Sequence, residues 1–281
     1  MLITGVTGYI GRELAGCLLE KGISFRGASR HPSEAERIFN DDHMKGVRFD
    51  YDSPVTHGPA FEGVRTMFLT CPCGAEHFKS IEQALRTAKQ SGIERIVFLS
   101  VLGNEKMPFL PHREIEKAII HLGFDYTFLR ASSYMHELLR SQRKIIMEEQ
   151  KLRIPVGDTE VSFVDGRDVA EAAFTALLGK SYSKDTYKLT GREALTFGQV
   201  ADILTEELGT KIDYESSGKH DFIKNYEEKG CSSREAEIIA NYYTAVKNGA
   251  CRRVSLDVGK ILQREQRTMK EFVRDYHHAF V

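Results

Sequence analysis

The stretch Ile3-Thr4-Gly5-Val6-Thr7-Gly8-Tyr9-Ile10-Gly11-Arg12-Glu13-Leu14 constrains the fold more than any other. An apolar start, three glycines spaced Gly-x-x-Gly-x-x-Gly and a helical continuation read as a strand, a tight turn and a helix N-terminus. Glycine allows the sharp turn, lets backbone N–H groups approach phosphate oxygens with no Cβ between them, and lets helix and strand pack closely. The helix dipole and the unpaired N–H groups of the first turn favour an anion at that place. The spacing alone also describes an ordinary glycine-rich turn. Its sequel favours a binding turn, because Leu14, Leu18 and Leu19 continue at helical spacing to Gly22 and residues 23–29 read as a second strand. Gly5, Thr7, Gly8, Tyr9, Ile10 and Gly11 are the candidate contacts to a dinucleotide diphosphate.

Arg30 follows the second strand, where folds of this kind test the adenosine ribose. An acid there would hold the 2′-hydroxyl of NAD, whereas a cation accommodates the 2′-phosphate of NADP. Arg30 therefore favours NADPH over NADH, against the plainer reading of a solvated surface arginine. A third strand over 47–50 ends in Asp50, which either faces the adenine or serves a turn. The apolar run Val64–Thr70 reads as a strand leading into Thr70-Cys71-Pro72-Cys73-Gly74. Ligands of open parallel sheets bind outside the carboxyl ends of the strands, so Thr70, Cys71 and Pro72 are candidates for ribose or nicotinamide contact, as is Ser100 after the strand 95–99. Helices over 33–39, 76–90 and 112–121 and a strand over 125–130 complete a strand-helix alternation. The expected class is α/β, a doubly wound parallel (Rossmann) sheet with right-handed crossovers and a smaller C-terminal α+β lobe. The expected division is a dinucleotide domain over 1–155, with 161–190 returning to it, and a substrate lobe over 191–281. Within it, residues 133–150 read as one long helix, and Asp168 reads as a cap or buried structural carboxylate near a helix start.

Composition narrows the partners. The 39 basic and 40 acidic residues are well mixed, giving a net charge of -1 and no basic footprint for nucleic acid or a membrane surface. No apolar run approaches the ~20 residues that span a bilayer, and the chain opens on its first strand with no room for a signal peptide, so a cytoplasmic location is expected. Five cysteines, at 17, 71, 73, 231 and 251, make no secreted disulfide framework, and Cys71-Pro72-Cys73 is too closely spaced for a usual zinc site. No metal is expected. The partner is a small-molecule acceptor, and the reading leaves room for a homodimer.

Several segments together resemble one family. They are residues 4–11, Arg30, Phe98-Leu99-Ser100, His112-Arg113-Glu114-Ile115-Glu116, Tyr126-Thr127-Phe128-Leu129-Arg130, residues 163–170 and Arg267-Thr268-Met269-Lys270-Glu271-Phe272. The chain resembles, nearly end to end, the NmrA-like group of atypical short-chain dehydrogenases/reductases, and within it the NAD(P)H-dependent quinone or azo-type reductases. The resemblance implies a Rossmann cofactor domain, a small C-terminal substrate lobe and a preference for NADPH. It departs where Ala131 follows Arg130 in place of the usual Pro, where Glu137 stands for an Asn, and where residues 261–267 lack the usual Gly and Pro. The same group also holds proteins that bind NADP without turnover, so a redox sensor acting through a protein partner is the alternative to an oxidoreductase.

Standard short-chain reductases use a Tyr as proton donor with a Lys four residues later on the same helix face. Here His112 and Glu116 occupy that spacing, and the chain's Tyr-x-x-x-Lys, Tyr243 with Lys247, lies far out in the C-terminal lobe. His112 and Glu116 are accordingly the candidate catalytic pair, with the carboxylate expected to raise the imidazole pKa. A solvated His112, with Glu116 paired to Arg113, is the competing reading. Without Tyr and Lys, reduction needs an acceptor that requires little acid catalysis, such as a quinone or another conjugated compound. Tyr134, Met135 and Phe163 are the candidate acceptor wall, or else core. If Arg30 recognises the 2′-phosphate, Arg30→Ala weakens NADPH by about ten- to a hundredfold and leaves NADH nearly unchanged in parallel fluorescence titrations, since a charge-assisted contact contributes roughly 1.5–3 kcal/mol.

Overall fold

A computed structural model describes residues 1–72, 74–179 and 182–280. In chain order the elements are β1 (Leu2–Thr4), α1 (Tyr9–Glu20), β2 (Phe25–Ser29), α2 (Pro32–Phe39), β3 (Met44–Arg48), α3 (His57–Phe61), β4 (Thr66–Leu69), α4 (Phe78–Gln90), β5 (Arg95–Val101), α5 (His112–His121) and β6 (Asp125–Ala131). There follow α6 (Arg143–Glu149), β7 (Lys151–Arg153), α7 (Gly166–Leu178), β8 (Asp185–Leu189), α8 (Phe197–Leu208), β9 (Asp213–Glu215), α9 (Lys219–Glu228), α10 (Ser233–Lys247), α11 (Asp257–Leu262) and α12 (Met269–Asp275). The seven-stranded sheet has the order β3-β2-β1-β4-β5-β6-β8. Its first five strands run parallel, with Leu2 opposite Arg26 on one side and Met67 on the other. The reversal of strand order beside β1 puts a crevice at the carboxyl end of β1, and the doubly wound α/β expectation is met.

Contacts divide the chain into two compact units: residues 1–104, 110–130 and 166–187, and residues 105–109, 131–165 and 188–281. The division falls after residue 130, so 131–155, expected with the first domain, belongs to the second unit. The physical reason is that β6 ends the run of consecutive parallel crossovers, and the next strand, β7, pairs with β9 rather than with the large sheet.

In the first unit, Leu2, Met67, Leu69, Ile96 and Phe98 from the strands pack with Ile81, Leu85, Ile115 and Ile119 from α4 and α5. Arg95, almost wholly buried, binds the unit together at the other end of the sheet. Its guanidinium donates to Asp125 Oδ2 (3.0 Å), Thr127 Oγ1 (3.2 Å) and the carbonyls of Ala176 and Gly179 (both 3.0 Å), joining β5, β6 and the end of α7.

In the second unit, α8, α10 and α12 each begin with a reciprocal capping box, at Thr196/Gln199, Ser232/Glu235 and Thr268/Glu271. The helix expected over 133–150 is interrupted: residues Leu138–Gln142 form a π-helical turn before α6. Its last residue, Gln142, turns inward and accepts a hydrogen bond from Arg153 N at 3.0 Å. Among the described residues, no helix is long and apolar enough to cross a membrane.

Replacing Arg95 leaves Thr127 Oγ1 and the carbonyls of Ala176 and Gly179 short of a donor, while the part-exposed Asp125 keeps Ser183, so Arg95→Ala is expected to cost about 1–3 kcal/mol of stability. Denaturant unfolding followed by circular dichroism measures it.

Candidate functional site: the carboxyl edge of the first unit

The glycine turn takes the shape its spacing required. Gly5 has φ +63°, a left-handed conformation, and its carbonyl accepts from Gly8 N at 2.9 Å. Gly8 is the extended N-cap of α1, and Arg12 N donates back to its carbonyl at 2.9 Å. A Cβ on Gly11 would overlap the Gly5 carbonyl oxygen, so the helix and the turn can approach only because Gly11 has none. No side chain caps α1 and no acid stands in its first turn. That leaves the backbone N–H groups around Tyr9, Ile10 and Gly11 for an anion, with the helix dipole favouring negative charge. These uncapped donors are the chemistry a dinucleotide diphosphate needs. Arg12 Nε is used inside the turn, donating to Thr7 O at 2.8 Å.

Two supports of the turn carry no simple sequence signal. A Cβ on Gly166, the first residue of α7, would overlap the ring of Tyr9, so this glycine lets α7 lie against the start of α1. The second support is Thr70. Its N–H donates to Thr4 Oγ1 at 2.8 Å, Thr4 Oγ1 donates to Phe68 O at 3.1 Å, and the Tyr51 hydroxyl donates to Thr70 O. Desolvation raises the phenol pKa of Tyr51 well above its ordinary value and keeps it a donor. Gly166 stood inside a segment read only as a helix start. Tyr51 is separated from its partner by 19 residues, beyond any local pattern.

The remaining candidates divide. Arg30 is exposed on the bend after β2, and among the described residues no hydrogen bond or ion pair occupies its guanidinium. Asp50 lies beyond β3, which ends at Arg48 rather than continuing to 50. Its Oδ1 accepts from Asp52 N at 3.1 Å and its carbonyl from His57 Nε2 at 2.8 Å, the pattern of a turn residue. Cys71 and Pro72 form the loop after β4, and Cys73 lies outside the described residues. In the second unit Met135 and Phe163 are buried, Phe163 edge-on to Phe197 at 5.1 Å, and Met135 N donates to Val164 O at 3.0 Å. Of the three proposed wall residues only Tyr134 keeps part of its surface.

The expected pairing of His112 with Glu116 is corrected by the structure. Glu116, 5% exposed, accepts from Arg130 through both oxygens (3.0 and 2.6 Å), from Ser100 Oγ at 2.6 Å and from Asn104 Nδ2 at 3.0 Å. A bidentate guanidinium and two further donors hold the carboxylate away from the imidazole. Ser100, proposed as a cofactor contact, is buried in this cluster. His112, 7% exposed, stacks on Phe98 at 5.8 Å and places Nε2 3.3 Å from Cys71 Sγ, while Nδ1 is buried without a partner among the described residues. Burial lowers its pKa to about 4, the opposite of the expected rise, so the ring is neutral near pH 7.

These features match a known family. Its model, described as the NmrA-like family, matches residues 1–273. The chain belongs to the NmrA-like family, a group of atypical short-chain dehydrogenases/reductases. It is 31% identical over 273 residues to festuclavine dehydrogenase of Aspergillus fumigatus, covering 93% of this chain and 92% of that one. It is 25% identical over 286 residues to an NAD(P)H azoreductase of Xenophilus azovorans, covering 100% and 99%. Its fold superposes with a TM-score of 0.88 on NADPH-dependent quinone oxidoreductase of Escherichia coli solved with NADPH, at 23% identity, covering 98% of this chain and 99% of that one.

The buried neutral imidazole makes a signed prediction. The folded pKa of about 4 lies below the usual value near 6.5, so the unfolded state binds the proton first as pH falls. This contribution is fully present above about pH 6.5 and is lost between there and pH 4, by up to about 3 kcal/mol. Unfolding measured across that range should show a His112→Phe variant losing less stability on acidification than the parent.

Proposed function

We propose that the protein is an NADPH-dependent oxidoreductase that reduces a quinone-like or other conjugated small molecule. The glycine turn carries this reading: Gly5 and Gly11 let the turn and α1 pack closely, and α1, N-capped by Gly8 with no side-chain cap and no acid in its first turn, offers its backbone donors to a diphosphate. Arg30, whose guanidinium is unoccupied among the described residues, is the group assigned to the 2′-phosphate. Thr70, Cys71 and Pro72 are assigned to the ribose and nicotinamide side. The dinucleotide, when bound, supplies a hydride, that is, two electrons with one hydrogen nucleus.

The choice of acceptor follows from what the chain lacks. Both oxygens of Glu116 are engaged by Arg130, Ser100 and Asn104, and His112 is a neutral, buried ring, so the pair does not form the imidazolium that would donate a proton. A simple ketone would need a proton as its alkoxide forms. A quinone spreads the charge over its ring, and its oxyanion takes its one proton from water to give the hydroquinone. His112 is assigned a polar role, its unpartnered Nδ1 serving as a neutral hydrogen-bonding group. Tyr134, which keeps exposed surface, is the residue assigned to acceptor contact, while Met135 and Phe163 are buried within the second unit. The dehydrogenase, azoreductase and quinone oxidoreductase relatives support a hydride-transfer reading of this kind.

The same shortage of an acid favours one alternative, an NADP(H)-binding regulator that turns nothing over. Stopped assays with NADPH and a panel of quinones, enones, imines and azo dyes separate the two. The expected outcome is multiple turnovers on quinones and conjugated acceptors, with little on simple ketones. Binding of one equivalent of NADPH with no consumption against any acceptor would favour the regulator.

A further inference from the structure

The second unit contains a cavity of about 420 Å³ that the proposed reaction does not use, within the range of small-molecule sites. It is lined by the π-turn and α6 (Gln142, Ile145), by β7 and β9 (Arg153, Glu215), and by the start of α9 with the residues before it (Ser217, Gly218, Asp221 and Phe222 among them). Turns of π type are uncommon, cost regular helix bonding and recur at functional sites. This one brings Gln142 inward, 2% exposed.

The polar groups of the cavity are incompletely satisfied. Gln142 Oε1 accepts from Arg153 N, but its amide nitrogen has no hydrogen-bond partner among the described residues. The Ser217 hydroxyl is shut off from solvent and also lacks a partner there. A hydroxyl buried in this way is rarely left unpaired and needs water or a ligand. The N-terminus of α9, a ten-residue helix, follows Gly218 without a side-chain cap, so its first N–H groups are further donors.

Charge then selects the ligand. Arg153 is held by Glu149 at 2.7 Å and by Glu215 at 3.2 Å, and Glu215 also takes Lys151 at 2.9 Å, so this group of charges is internally balanced. What remains is the exposed carboxylate of Asp221, without an ion-pair partner among the described residues, which lies close to Gly218 at the start of α9 and lines the same cavity as Gln142 and Ser217. Phe222 and Ile145, both buried, supply an apolar wall.

We propose that this cavity binds a small zwitterion of amino-acid size. The carboxylate accepts from the Gln142 amide, the Ser217 hydroxyl and the first turn of α9, the ammonium lies by Asp221, and the side chain rests on Phe222 and Ile145. A lone anion is disfavoured by Asp221 and a lone amine by the donor set.

The test is isothermal titration of the full chain with L-leucine, L-phenylalanine and L-glutamine, with propionate and butylamine as single-charge controls. At least one amino acid should bind with 1:1 stoichiometry and raise the melting temperature, with each control at least about tenfold weaker. Asp221→Asn and Gln142→Leu should each weaken it by about tenfold or more, a change expected when a hydrogen bond to a charged group is lost. Asp221 is exposed, so its variant keeps the test valid if Gln142→Leu does not fold. The proposal is overturned if no amino acid binds at millimolar concentration, or if propionate or butylamine binds as well as the zwitterions. It is equally overturned if Asp221→Asn keeps the parent affinity, or if a crystal grown in saturating amino acid holds only water in the cavity.

Discussion

The carbonyl oxygen of Gly5 is the point on which the first unit depends. It closes the turn by accepting from Gly8 N, and it lies where a Cβ of residue 11 would stand. One atom thereby fixes both the direction in which the chain leaves β1 and the distance at which α1 returns. Tyr9 then needs Gly166 to have no side chain, and the left-handed Gly5 lies against Thr70. The turn is therefore held by missing side chains as much as by bonds.

A second consequence appears at the ends of β5 and β6. Glu116 gathers Arg130, Ser100 and Asn104 into one hydrogen-bonded cluster, and a buried cluster satisfied this fully specifies its geometry. The same bonds engage both carboxylate oxygens, while burial against Phe98 keeps His112 neutral. Order at this edge thus occupies the polar groups that lie there, and that occupation is what the proposed choice of a charge-spreading acceptor rests on.

Much of this was legible in the sequence, for identifiable reasons. The glycine spacing and the strand-helix alternation over 1–130 are local signals, each element read from a few consecutive residues. The misreadings are non-local. Four-residue spacing places His112 and Glu116 on neighbouring turns, but Arg130, 14 residues on, and Cys71, 41 residues back, compete for them and win. The π-turn was invisible because one extra residue barely disturbs the apolar pattern of Leu138, Leu139, Ile145 and Ile146. The first-domain boundary expected at 155 was misplaced because the place of residues 131–155 depended on β7 finding β9, some 60 residues later. Turn residues such as Asp50 stayed ambiguous, since aspartate suits a ligand contact and a turn equally well.

Helix N-termini draw the two units together in a single physical principle. In the second unit, α8, α10 and α12 satisfy their first-turn N–H groups with Ser or Thr and a reciprocal Glu or Gln. A capped terminus has little left to offer an anion, because the cap oxygen occupies the place the ligand oxygen would take. The termini of α1 and α9 are both preceded by glycine and neither has a side-chain cap. For α1, with no acid in its first turn and three glycines around it, the whole local field is left positive, which suits a diphosphate. For α9, Asp221 in the first turn sets a negative charge beside the donors, and the field becomes divided. A uniform donor field selects an anion and a divided one selects a molecule that carries both signs, so the same backbone feature, differing by one carboxylate, distinguishes the two ligands assigned to this chain.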